Sequence, residues 1–304
     1  KKFNYKVLIN KKNLENKIKK LVSICEGPIT SIRLIGVYES YKKASEKNIK
    51  VILEGQCGDE LLGGYLNNLI PSYIDKYNKN NLHGKIYSIS NIKKFGKKKL
   101  TELLNCTSNQ GNCTSDGEKY LNLKFFKNSF KKKFNRVILF NRHHNDNFKK
   151  FNQLQKSQYL EYSSIHTPRS LKYVDRISMS HGIESRIPYL DHELVEYCFN
   201  LSNEKKIRNN MQRYIFKKAF NLGDIKNKIE KKNITDPQRE WFKNKLNSLL
   251  KKELRNIKYN DKIFDKKNIL EFLDQFKRDK SSNSFGLMTI YTFLIFKKNF
   301  NATY

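Results

Sequence analysis

KVILEGQCGDELLGGY, residues 50–65, is the stretch from which the fold can be read. Val51, Ile52 and Leu53 form a short apolar run, the pattern of a strand buried in a parallel sheet. Gly55 and Gly58 break the run. Asp59 and Glu60 then open a helical segment carrying Leu61 and Leu62, before Gly63 and Gly64. A strand, a glycine-rich turn and acidic residues at a helix start together make a ligand-binding geometry. Glycine lets a ligand approach the backbone, and free N–H groups at a helix N-terminus attract phosphate. An aspartate at such a turn can hold Mg²⁺, which bridges phosphate oxygens. The alternative is that Asp59 only caps the helix, with Glu60 in its first turn. The ligand-binding reading predicts a buried strand with Asp59 at its carboxyl end, facing a cleft.

Upstream, Val7-Leu8-Ile9 is a short apolar run, and Leu14, Ile18, Leu21 and Val22 recur at helical spacing. Glu26-Gly27-Pro28 is a break. Ile35, Tyr38, Tyr41 and Ala44 then predict a second helix leading to Val51. The order strand, helix, strand, glycine turn, helix is α/β logic, with ligands expected beyond the strand's carboxyl end.

Downstream, residues 71–150 are rich in Lys, Asn and Ser, and read as an insertion of surface helices and long loops inside one 304-residue domain. In the block from Thr167 to Leu201, Thr167 reads as a helix N-cap and Pro168 as the first helical residue. Asp175, Ser178 and Met179 are spaced to share neighbouring parts of one face. Gly182 can stop that helix and Asp191 can cap the next, whose stripe is Leu190, Leu194, Val195, Cys198 and Leu201. Arg213 to Phe220 reads as a basic helix. The tail is helical, and its apolar stretch Phe285 to Phe296 is expected to pack on the core.

Composition limits the alternatives. The chain is 38% hydrophobic with 17 Tyr and 20 Phe, enough for a core. No apolar run is long enough to span a bilayer, and Lys1-Lys2-Phe3-Asn4-Tyr5 has no signal-peptide pattern. The net charge is +32. Its basic residues are spread through the chain beside abundant Asn and Ile, which argues for compositional bias over a nucleic-acid stripe. Five cysteines at 25, 57, 106, 113 and 198 form no regular framework, so a reducing, cytoplasmic setting is expected. Neither Cys106 with Cys113 nor His143-His144 has the partners of a metal site.

Gly55-Gln56-Cys57-Gly58-Asp59-Glu60-Leu61-Leu62-Gly63-Gly64-Tyr65 resembles the Gly-Glu/Gln-Gly-x-Asp-Glu-Leu-Phe-Gly-Gly-Tyr signature of the glutamine-dependent (class B) asparagine synthetases. Asp175-Arg176, Ser178-Met179, Glu184, Arg186 and Pro188 to Asp191 are similar to a second string of that family, and Pro237 with Trp241 sets the register of a third. The resemblance implies an adenine-nucleotide α-hydrolase-like α/β sheet followed by a mainly helical region. It implies ATP and Mg²⁺, a carboxylate substrate such as aspartate, and nitrogen from ammonia or a glutaminase domain. A carboxylate would be adenylated and ammonia would displace AMP. The residues carried over are Lys231, Gln56 and Glu60 as catalytic, Gly55, Gly58, Asp59 and Lys231 for ATP and pyrophosphate, and Asp59 for the metal.

Two departures matter. Gln56 stands where asparagine-forming enzymes carry Glu, and a neutral amide cannot act as a general base. It leaves open another acceptor, as in relatives linked to surface polysaccharide or ring closure. The family's Ser-Gly-Gly-x-Asp-Ser loop occurs nowhere in the 304 residues, so the chain reads as an N-terminally incomplete synthetase domain, expected not to turn over ATP by itself. An inactive homologue acting as a binding or structural protein is the competing reading.

Overall fold

In the computed structural model, the described residues are 4–9, 12–78, 82–94, 96, 123–134, 148, 150–220, 237–257, 261–278 and 284–302. Leu14, Ile18, Leu21, Val22 and Cys25 line one face of α1 (Leu14–Cys25) and all are buried. The helix ends at Glu26 in the left-handed conformation, φ 46°, where Gly27 and Pro28 turn the chain. Helix α2 (Arg33–Ser45) buries Ile35 and Tyr41. The main core forms where α1 and the helix His166–Met179 meet the tail helices. Lys245–Arg255 contributes Leu246, Leu250 and Leu254, Lys266–Lys277 contributes Ile269, Leu273 and Phe276, and Ser284–Asn299 contributes Leu287, Met288, Tyr291 and Ile295. These spacings are the helical stripe that burial requires. From the 71–150 region, Phe125 enters the same core, edge-on to Phe272 at 4.9 Å.

The fold is mixed α/β and mostly helical, but its parallel sheet is smaller than expected. Among the described residues it has two strands, β1 (Val51–Leu53) beside β2 (Glu184–Arg186), with Val51 opposite Glu184 and Leu53 opposite Arg186. A second pair, β3 (Ile207–Arg208) and β4 (Met211–Gln212), is an antiparallel hairpin turning on Asn209 and Asn210, φ 49° and 65°. Asparagine is favoured at both positions because such a turn needs positive φ.

Several expectations are corrected. Val7 to Ile9 form no strand, and Leu8 is exposed. Strand β1 is not buried: Val51 is 39% and Leu53 71% exposed, while Ile52 packs on the core. A strand with helices on one face buries alternate residues; burying all three needs cover on both faces. The helix does not begin at Thr167. A π-helical turn, Glu161–Ile165, runs from the helix Gln153–Leu160 straight into His166–Met179. The widened turn lies where Pro168 lacks an N–H and where its ring would crowd the carbonyl four residues back. Ser178 faces inward, whereas Asp175 and Met179 face solvent.

Other local readings hold. Asp191 accepts a hydrogen bond from the Leu194 N–H at 3.0 Å and caps His192–Asn200. Gly182 turns the chain with φ 63°. No helix among the described residues is long and apolar enough to cross a membrane.

Gln238, fully buried, joins the segment after α1 to the tail. Its Oε1 accepts from the Ile32 N–H at 2.9 Å, and its Nε2 donates to Ser284 Oγ at 3.3 Å. Gln238→Leu would strand the Ile32 N–H in an apolar core. The expected cost is about 1–3 kcal/mol, read as a lower urea midpoint. An unchanged midpoint would show that the amide group contributes nothing.

Candidate active site

The signature turn begins where β1 ends. The Glu54 N–H still donates to the Arg186 carbonyl at 2.9 Å, so the sheet register carries one residue past Leu53. Gly55 is open, with nothing within 4 Å of where a Cβ would stand. Cys57 adopts φ 72° just before α3 (Gly58–Leu62), and burial pushes its thiol up to about 11, so it stays a neutral thiol. A Cβ on Gly58 would meet the Tyr189 ring at 3.3 Å.

Asp59 is not a cap; it lies inside the first turn of α3. Its carboxylate folds back over Gly64, where a Cβ would fall 1.8 Å from Oδ1. Only glycine at 64 leaves room for that side chain. Arg213 Nη1 stands 3.4 Å from the same Oδ1, in a partly exposed ion pair. The β3–β4 hairpin delivers this arginine: Gln212 Nε2 donates to the Tyr65 carbonyl, and Arg213 follows in the left-handed conformation.

Glu60 points the other way, because successive helical residues project about 100° apart. It is buried and accepts the Tyr65 hydroxyl at 2.6 Å, with His166 Nδ1 3.3 Å from the same oxygen and 2.9 Å from the Tyr65 hydroxyl. Burial raises the Glu60 pKa, but the His166 and Tyr65 hydrogen bonds outweigh it and hold the group below the usual carboxylate range. Nearby Glu161, in the π turn, accepts from Asn67 Nδ2 at 3.3 Å, and burial raises its pKa. Glu60 thus belongs to an internal carboxylate, tyrosine and histidine network, not to the surface that Asp59 faces.

A second internal link fixes α3. Gln158 Nε2 donates to the carbonyls of Glu60 and Leu61 at 2.8 and 2.7 Å, while its Oε1 accepts from Lys206 Nζ at 3.0 Å. Lys206 is fully buried, and burial lowers its pKa to about 8. Gln56 remains on the open side: its Nε2 donates to Glu54 Oε2 at 3.2 Å, and the Tyr41 hydroxyl donates to Glu54 Oε1.

The turn therefore brings Gly55, Gln56, Gly58 and Asp59 to the carboxyl end of β1 and sends Glu60 inside. Lys231 lies outside the described residues, as do Cys106, Cys113, His143 and His144. Arg186 pairs with Glu184 at 2.8 Å and Arg176 with Glu26 at 3.0 Å, both in exposed positions. Sequence reasoning missed Glu54, His166, Glu161, Gln158 and Lys206 as parts of this region, and saw Arg213 only as part of a basic helix. Among so many lysines, nothing in the local pattern distinguishes Lys206. A pocket of 250 Å³ opens elsewhere, lined by Tyr73, Asp75, Lys76, Asn203 and Arg208 among others, and shares no signature residue.

The sequence profile for asparagine synthase matches residues 2–298. The chain belongs to the asparagine synthase family. It is 24% identical over 311 aligned residues to asparagine synthetase (glutamine-hydrolyzing) 1 of Bacillus subtilis (strain 168), covering 96% of this chain and 47% of that protein. It is 28% identical over 181 residues to asparagine synthetase (glutamine-hydrolyzing) 2 of the same organism, covering 59% and 21%. A 46-residue match to the third such synthetase reaches 44% identity, over 15% and 8%. The chain spans about half the length of the first relative and a smaller share of the others.

The buried Lys206 makes a pH prediction. Its folded pKa of about 8 lies below the ordinary 10.5, so the unfolded chain binds the proton more tightly. Stability should therefore rise between those two values, by roughly 3 kcal/mol from this group. Below the folded pKa both states are charged and the penalty is constant. Urea titrations across this range should show a shallower rise in Lys206→Met than in wild type; equal slopes would place the lysine's proton elsewhere.

Proposed function

We propose that this chain carries the adenylating and amidating centre of an ATP-dependent ligase acting on a carboxylate, with L-aspartate as acceptor and ammonia as the nitrogen donor at the centre. The observation that carries this reading is the signature turn at the carboxyl end of a parallel strand, with Asp59 ordered by Gly64 and Arg213, in a chain of the asparagine synthase family. The open backbone at Gly55 is where nucleotide phosphates would approach.

Asp59 fits Mg²⁺ as a hard oxygen ligand: its side chain is partly exposed, although its Oδ1 is buried beside Gly64 and Arg213. Among the described residues no group of three or more His, Cys, Asp or Glu is arranged to hold a metal ion. The ion would be held by Asp59 together with phosphate oxygens, the usual Mg²⁺ arrangement. Bound there it neutralises charge on the pyrophosphate leaving group. Arg213 holds the Asp59 carboxylate and adds positive charge beside it. Lys231 is assigned a contact to the same phosphates. Glu60 keeps α3 in register through Tyr65 and His166.

The test is pyrophosphate exchange into ATP by the complete polypeptide, with and without L-aspartate. Aspartate-dependent exchange is expected, and Asp59→Asn or Lys231→Ala should each lower it by about 10²–10³ while the urea midpoint changes little. Exchange that ignores aspartate, or survives both substitutions, would overturn the assignment.

A further inference from the structure

Gln56 leaves the amidation step without a carboxylate at its own position, yet a carboxylate stands two residues upstream. Glu54 and Gln56 flank Gly55 just beyond β1. Their side chains meet, Gln56 Nε2 donating to Glu54 Oε2 at 3.2 Å. The second oxygen, Oε1, is held from beneath by the Tyr41 hydroxyl of α2. Tyr41 is buried, and burial, with the neighbouring Glu54, raises its pKa above the usual phenol value, so it remains a donor. Among the described residues no lysine or arginine forms an ion pair with Glu54. Its charge is therefore oriented but not neutralised, and Oε2 keeps a lone pair beside the open Gly55.

We propose that Glu54 is the general base of the amidation step and that Gln56 orients it. This rests on the proposed amide-forming reaction. Ammonia nitrogen attacks the carbonyl carbon of the acyl-adenylate and the C–N bond forms. A proton passes from that nitrogen to Glu54 Oε2. The carbonyl re-forms as the C–O bond to AMP breaks, and AMP leaves with the electron pair. In this assignment the Gln56 amide oxygen accepts an N–H from the incoming ammonia. The carboxylate has moved from position 56 to position 54, and the amide now occupies the position between base and nucleophile.

The experiment uses the complete polypeptide with MgATP, L-aspartate and ammonium chloride, and two readouts: aspartate-dependent pyrophosphate exchange and asparagine formed. Glu54→Gln should reduce asparagine formation about a hundredfold more than it reduces exchange, the usual weight of a general base. The double variant Glu54→Gln with Gln56→Glu, which returns the carboxylate to position 56, should recover most of that difference. An unchanged ratio of asparagine to exchange in Glu54→Gln would overturn the proposal, and so would an equal loss in both readouts, which would make Glu54 structural. Absence of aspartate-dependent exchange in wild type would instead overturn the underlying reaction and the proposal with it.

Discussion

The hydrogen bonds from Gln158 to the carbonyls of Glu60 and Leu61 are the constraint on which the site depends. Helix α3 has five residues, too few to be stable by itself. Its last carbonyls have no partners within the helix, and an internal amide supplies them. That amide is held in turn by Lys206, a buried ammonium group that forms no ion pair with a carboxylate among the described residues. Burying such a charge costs free energy, and the lowered pKa expresses that cost. What is gained is a fixed direction for the turn that carries Gln56 and Asp59.

One hairpin serves both sides of this turn. Lys206 precedes β3 and reaches beneath α3; Arg213 follows β4 and reaches Asp59. Between them, Ile207 packs where a Cβ on Gly63 would stand, 3.1 Å away, and Gln212 holds the Tyr65 carbonyl. The glycines at 63 and 64 are thus explained by contact rather than by flexibility. Gly63 admits Ile207 and a positive φ of 64°, and Gly64 admits the Asp59 carboxylate. The acidic pair Asp59-Glu60 is divided between an outer, arginine-paired carboxylate and an inner one satisfied by tyrosine and histidine.

Much of the helical framework was legible in the sequence because its cause is local. The stripe Leu14, Ile18, Leu21 and Val22, the cap Asp191 and the terminal aromatic helix each follow from spacing and from one or two side chains. The readings that failed depended on neighbours distant in the chain. Val51 and Leu53 look like buried strand residues, but burial is set by what covers the sheet, and among the described residues both are exposed. Thr167-Pro168 looks like a helix start, yet the preceding helix continues through a π turn. Ser178 and Met179 point apart because α1 and α2 pack on one side of their helix and solvent lies on the other.

The sequence by itself determined the family and the order of strand, glycine turn and acidic helix, since the signature is contiguous and each of its residues acts on its neighbours. It could not separate the roles of Asp59 and Glu60, which depend on Arg213, His166 and Gln158, residues some 100 to 150 positions away. Nor could it connect Tyr41 with Glu54: the contact requires α2 to lie under the end of β1. Tertiary structure decided these points because an ionisable side chain takes its role from the charges, donors and burial around it, and folding assembles those surroundings from distant parts of the chain.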